Sequence, residues 1–141
     1  MQHIKKGEKG FTLITAAACA FALFGMLGLA LDLGRVFIAK NEAMSYVDAA
    51  ALNAARELDG FPTGGTRAVN AALGTVNSWN FSTSAFPTPV VEFSTSKNGP
   101  WAANPASWVN VGFARVTVNV NNIPLYILPV VGTSNTGAPL Q

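Results

Sequence analysis

Residues 11–31 carry no charged side chain, and Lys5, Lys6 and Lys9 stand just before them. A helix rises about 1.5 Å per residue, so this run reaches roughly 30 Å, the thickness of a bilayer's hydrocarbon core. The first expectation is therefore a single membrane-spanning helix with a short basic tail on one side. Lys and Arg beside a span favour the cytoplasmic side, which puts the N-terminus inside and the remaining residues outside. A secretory signal has a shorter apolar stretch, about 7–15 residues, and a small-residue cleavage site. Here Leu29-Ala30-Leu31-Asp32 leads on into further helical sequence, so an uncleaved anchor is expected. Ala16-Ala17-Ala18-Cys19 faintly suggests a lipoprotein site, but the apolar run continues well beyond it.

Charged residues make up only 11% of the 141-residue chain, against about a quarter in soluble proteins. No basic patch follows the span: Arg67, Lys97 and Arg115 are scattered, so nucleic acid is not an expected partner. Cys19 is the single cysteine and His3 the single histidine. No disulfide can form within the chain, and no Ser-His-Asp, Cys-His or zinc-type ligand set can be built. Gly64-Gly65 is too brief for a phosphate-binding loop, and Asp32 and Glu42 are ten residues apart. The expectation is a non-enzymatic protein with no cofactor, no metal and no small-molecule substrate.

The helix is expected to continue past the membrane. From residue 32 to 58 there is no Pro, one Gly and much Ala. Ala43, Val47, Ala50, Ala54 and Leu58 recur at spacings of three and four, one face of a helix. Asp32 and Arg35, and likewise Arg56 and Asp59, can pair across a turn. Gly60 and Pro62 supply the stop. Thr63-Gly64-Gly65 reads as a loop, and Thr66 as the cap of a short helix over 67–76. Residues 89–94 read as a strand. Lys97-Asn98-Gly99-Pro100 is a turn. Residues 108–121 alternate as a strand whose phase slips at Ala114-Arg115, which predicts a bulge or two successive strands. Residues 123–131 are apolar but interrupted by Pro124 and Pro129, and form either core cover or a contact patch.

Gly28-Leu29-Ala30-Leu31-Asp32-Leu33-Gly34-Arg35, then Ala39-Lys40, then Val47-Asp48-Ala49-Ala50-Ala51-Leu52 and Ala54-Ala55-Arg56-Glu57-Leu58 together resemble the N-terminal region of the TadE/TadG-like family. These proteins belong to the tight-adherence (Tad) system that builds Flp pili in bacteria. The resemblance covers about residues 5–61. It extends more weakly through Val90-Val91-Glu92-Phe93-Ser94, Ala114-Arg115-Val116-Thr117-Val118 and Pro124-Leu125-Tyr126. It implies a single-pass protein of the bacterial inner membrane with its bulk in the periplasm, acting in pilus assembly or cell adhesion. Longer TadG-type members continue into a large C-terminal domain, whose adhesive activity does not carry over to these residues.

A second resemblance is local. Lys9-Gly10-Phe11-Thr12-Leu13-Ile14 is similar to the prepilin processing site of type IV pilins, which implies cleavage between Gly10 and Phe11. Such pilins carry Glu five residues after the cut. Thr15 stands there in this chain, and its hydroxyl cannot pair as an ion with a neighbouring N-terminal amine.

The expected architecture is α+β: a long N-terminal transmembrane helix extended into the periplasm, followed by a small antiparallel β domain of three or four strands. The expected divisions are a basic cytoplasmic tail (1–10), a span (11–31), a periplasmic helix extension (32–60) and a small α+β domain (61–141). Ala18, Ala22, Gly25 and Gly28 could let another helix approach closely within the membrane. Ala43, Val47, Ala50 and Ala54 could pack on a partner's helix or on this chain's own β region. Asp32 is expected at the outer headgroup level, paired with Arg35. The expected partners are the lipid bilayer and other pilus-assembly membrane proteins or pilin-like subunits. The alternative is a pilin-like or pseudopilin subunit cut at Gly10 and incorporated in a filament. A membrane-tethered binding module would instead use the aromatic loops around Phe81, Phe86, Trp101 and Trp108.

Overall fold

The computed structural model describes residues 8–78, 85–120, 123 and 125–127. The expectations for the tail residues His3, Lys5 and Lys6, for Phe81 and for the stretch beyond 127 lie outside the described residues.

One helix, α1 (Glu8–Arg56), carries everything else. At 49 residues it is about 73 Å long. No Pro interrupts it, and Ala supplies the strongest helix propensity through its second half. Its first half has no cover from the described chain. Phe11, Leu13, Ile14, Phe21, Leu23, Phe24, Met26 and Leu27 are all exposed. This part is long and apolar enough to cross a membrane. The second half is different. Gly28, Asp32, Ala39, Ala43, Tyr46, Ala50 and Ala54 are buried, with Arg35 half-buried between them. Their steps of three and four residues draw one stripe along the helix. Small side chains dominate it, so the rest of the chain comes close to the helix axis.

After Arg56 the chain turns through Gly60, which has φ +83°, into α2 (Pro62–Leu73). Pro62 opens this helix at a position where its missing N–H costs nothing. This corrects the expected loop at residues 63–65 and the expected cap at Thr66. Both glycines lie inside α2 and are buried, and the Thr66 hydroxyl donates to the Pro62 carbonyl. The reason is close packing. A Cβ on Gly65 would fall within the Trp108 ring. The pattern Gly-Gly looks like a turn in sequence, yet here it is the surface on which an indole lies flat.

Two antiparallel strands follow, β1 (Val90–Ser94) and β2 (Phe113–Thr117). Val91 faces Val116 and Phe93 faces Ala114 on the inner side. Glu92 faces Arg115 on the outer side, and their side chains form an ion pair at 2.7 Å. An isolated antiparallel bridge joins Phe93 to Ala102 on the other flank of β1. Among the described residues the sheet therefore has two strands, not three or four. The expected bulge at Ala114-Arg115 is absent too: pairing runs unbroken from Phe113 to Thr117. The phase slip has another cause. Residues 108–111 form a turn, with the Val111 N–H donating to the Trp108 carbonyl and Asn110 at φ 62°. Val111 is buried by this turn rather than by strand alternation.

Two apolar clusters fasten these elements to α1. Near its C-terminus, Ala50 and Ala54 meet Ala68 and Ala72 of α2 together with Val91, Phe93 and Val111. Trp108 packs on this cluster and tilts against Phe93 at 5.2 Å between ring centroids. Closer to the span, Ala39, Ala43 and Tyr46 meet Phe86, Val120 and Ile123. Tyr46 and Phe86 stack at 5.5 Å. The Asn77 side chain holds Phe86 in place, accepting from its N–H at 2.7 Å and donating to its carbonyl at 2.9 Å.

The contrast between two helical glycines gives a test. Among the described residues nothing lies within 4 Å of where a Gly34 Cβ would be, whereas Gly65 lies under an indole. Gly34→Ala should stabilise the protein by about 0.5–1 kcal/mol through helix propensity. Gly65→Ala should destabilise it by about 1–3 kcal/mol through overpacking. Chemical denaturation in detergent micelles, followed by tryptophan fluorescence, reads both.

Candidate functional site

The residues singled out from sequence divide by what covers them. Ala18 and Ala22 are exposed, Gly25 is half-buried, and among the described residues no atom lies within 4 Å of where a Gly25 Cβ would be. All three share one face of the spanning segment. Gly28 continues that face but is already occupied. The position of its missing Cβ is filled by the Ile127 side chain, whose own Cβ lies 3.2 Å away. Ala43, Ala50 and Ala54 are buried against this chain's own domain, and Val47 is half-buried beside the Tyr46–Phe86 cluster.

Asp32 lies one turn above Gly28 and is 1% exposed. Its two carboxylate oxygens accept from the backbone N–H groups of Tyr126 and Ile127, at 3.1 and 3.0 Å. Charge-assisted bonds of this kind are the strong ones, and they offset part of the cost of burying the carboxylate. Arg35, a further turn along, lies over the Tyr126 ring with its guanidinium carbon 4.1 Å from the centroid. Gly28, Asp32 and Arg35 thus form one cradle for Tyr126 and Ile127. Sequence reasoning paired Asp32 with Arg35 across a turn. The structure shows Asp32 bonded to a segment 94 residues away, which local spacing cannot reveal. The available signal was the apolar stretch after residue 123, too short to span a bilayer and in need of a surface.

At the other end of α1 a cationic bracket closes the turn into α2. Arg67 donates to the Glu57 carboxylate at 3.1 Å and to the Asp59 carboxylate at 2.7 Å. Asp59 therefore pairs with Arg67, where sequence spacing had offered Arg56. The Arg67 hydrogen bond, with the Phe61 N–H, holds the Asp59 carboxyl below the usual aspartate range. Burial pushes the Tyr46 phenol up, in keeping with its place in the core.

The candidate processing site lies within the helix. Phe11 is exposed, and the Thr15 hydroxyl donates to the Phe11 carbonyl at 2.9 Å. Three of the four aromatics proposed for a binding module are engaged in packing or stacking. Phe86 is buried, Trp108 lies on Gly65 and Phe93, and Trp101 lies under the Arg115 guanidinium at 4.7 Å. The fourth, Phe81, lies outside the described residues. Among the described residues no group of His, Cys, Asp or Glu could hold a metal ion.

The Asp59 pairing predicts a pH signature. A carboxyl whose folded pKa is depressed contributes stability above its ordinary value of about 3.9, and loses it as pH falls through the folded value. Asp59→Asn should therefore lower Tm at pH 7. The gap to the unmodified protein should narrow as pH drops below about 4. Thermal melts across pH 7 to 2.5 check both limbs.

No curated protein and no solved structure matches the chain. A family model does: residues 10–57 match the family described as putative Flp pilus-assembly TadE/G-like. The match runs along α1 almost end to end, from the exposed apolar half through the cradle and the alanine stripe. Over residues 10–57, the length of α1, the protein is similar to the TadE/G-like family of Flp pilus assembly.

Proposed function

We propose that this protein is a membrane-anchored, non-enzymatic component of a Tad/Flp-type pilus assembly system. Its N-terminus faces the cytoplasm, and its folded domain stands in the periplasm on the outer face of the inner membrane. The observation that carries the reading is where the family match falls. It covers a continuous helix whose first half is apolar and has no cover among the described residues, and whose second half is the core of a small domain. Such a helix carries a folded domain at a set height above the bilayer while leaving its spanning faces open.

Partner subunits would pack on those open faces. Ala43, Ala50 and Ala54 already serve this chain's own core, so lateral packing falls to Ala18, Ala22 and Gly25 within the span. Small residues at that spacing allow close helix–helix approach in lipid. The exposed Leu33, Phe37 and Met44 extend an apolar surface beyond the membrane on another side of α1.

Co-purification from native membranes tests this reading. Ala18→Leu, Ala22→Leu and Gly25→Leu together should abolish recovery of the other pilus-assembly membrane proteins while leaving the denaturation midpoint unchanged. Unchanged recovery would contradict the proposed surface. The pilin-like alternative rests on Lys9-Gly10-Phe11 and has its own readout. An intact mass corresponding to a chain that begins at Phe11 would put a processed, filament-forming subunit first. A chain that begins at Met1 supports an uncleaved anchor.

A further inference from the structure

We propose that residues 125–127, docked on α1 at Gly28, Asp32 and Arg35, lie in the outer interfacial zone of the bilayer, so that the folded domain touches lipid directly beside its anchor. The inference rests on the membrane-anchoring reading above. Four observations on the page carry it.

The first is level. The uncharged run ends at Leu31, so Asp32 sits where a helix beginning to span at residue 11 leaves the hydrocarbon. Ile127 packs on Gly28, one turn inside that run. The returning chain therefore reaches slightly below the edge of the span.

The second is the fate of the backbone. At this depth water is scarce, and an N–H without an acceptor costs several kcal/mol. Both the Tyr126 and the Ile127 N–H groups find the Asp32 carboxylate. A carboxylate here does for the docked segment what solvent would do higher up. This explains a nearly fully buried charge in a region that is otherwise costly for one.

The third is side-chain chemistry. Tyr126 is 58% exposed, and its ring has Arg35 across its face. Tyrosine is enriched at headgroup level, where one end of the ring can be apolar and the other wet. Arginine buries its stem and sends its charge toward the phosphates.

The fourth is continuity. Leu29, Leu31 and Leu33 are each about half exposed at the same level as the docked segment. The apolar surface of the span therefore runs on, without a break, into a collar around the cradle. The occupant that fits a surface continuous with a transmembrane helix is the same bilayer.

The test is depth measured by nitroxide labels on the full chain in phosphatidylethanolamine/phosphatidylglycerol vesicles. Cys19→Ser supplies the background, and Leu23→Cys, Leu33→Cys, Tyr126→Cys and Val109→Cys supply single sites. Accessibility to oxygen, relative to a water-soluble nickel chelate, reports depth. The expected ratio at 126 is severalfold above that at Val109 and below that at Leu23, with Leu33 close to 126. Leu33 projects from another face of α1, so it reads the same level without disturbing the docked segment. A ratio at 126 or at Leu33 equal to that at Val109, with Leu23 in lipid, overturns the interfacial contact and leaves the anchor standing. A Leu23 label that reads as aqueous overturns the anchor, and this inference with it.

Discussion

The narrow stripe of Gly28, Asp32, Ala39, Ala43, Tyr46, Ala50 and Ala54 is the constraint on which the rest of the structure depends. A single helix is long and apolar enough to cross a membrane along one half and serves a protein core along the other. Both halves are free of proline; the uncharged run of residues 11–31 marks the first, and the buried stripe between charged residues marks the second. Where side chains on the stripe are small, α2, the paired strands, Ile123, Tyr126 and Ile127 come within contact of the helix. Before residue 28, where the described residues bring no such partner, large Phe, Leu and Met side chains are exposed. The domain has no disulfide and only two paired strands among its described residues, so its stability rests on how closely it sits against α1. Burial in the two alanine-lined clusters supplies that, with Phe93 and Tyr46 as the large fillers.

Much of this was legible in the chain, and the exceptions have physical causes. The long helix follows from the absence of Pro and the density of Ala over residues 11–56. The strand at 90–94 follows from its β-branched residues and from the turn signals beyond it. The Gly64-Gly65 pair was misread because glycine marks both turns and close approach, and a one-dimensional pattern cannot show the Trp108 ring that needs the space. Residues 108–112 were misread for a related reason. Val109 and Val111 alternate as strand residues do, but Asn110 takes a left-handed conformation and ends the alternation. The site residues split in the same way. Ala43, Ala50 and Ala54 were recognisable as a packing face, yet periodicity carries no information on whether the other side is this chain or a partner. The Asp32 cradle joins residues 94 positions apart and could not be seen from either end alone.

On the anchored reading, a spine of this design links membrane position to domain position rigidly. The apolar half of α1 runs without interruption into the half on which the sheet is laid. The Asp32 carboxylate adds a second tie at the level where the span ends, and the Arg67 bracket to Glu57 and Asp59 adds a third at the far end. A partner that grips the spanning face near Ala18 and Ala22 would therefore set the height and orientation of the folded domain as well. That property suits a subunit of an assembly built at a membrane, the role that the match over residues 10–57 supports.

The most direct measurement is a disulfide between positions 28 and 127. With Cys19→Ser as background, Gly28→Cys and Ile127→Cys place two thiols where a Cβ at 28 would lie 3.2 Å from the Ile127 Cβ, short but near the range a disulfide uses. Oxidation of the protein in its membrane should close the bond within one chain, seen as a monomer whose faster gel mobility is reversed by reductant. Free thiols after oxidation, or a bond only between two chains, would show that the domain does not return to the end of its own span, and would contradict the shared spine.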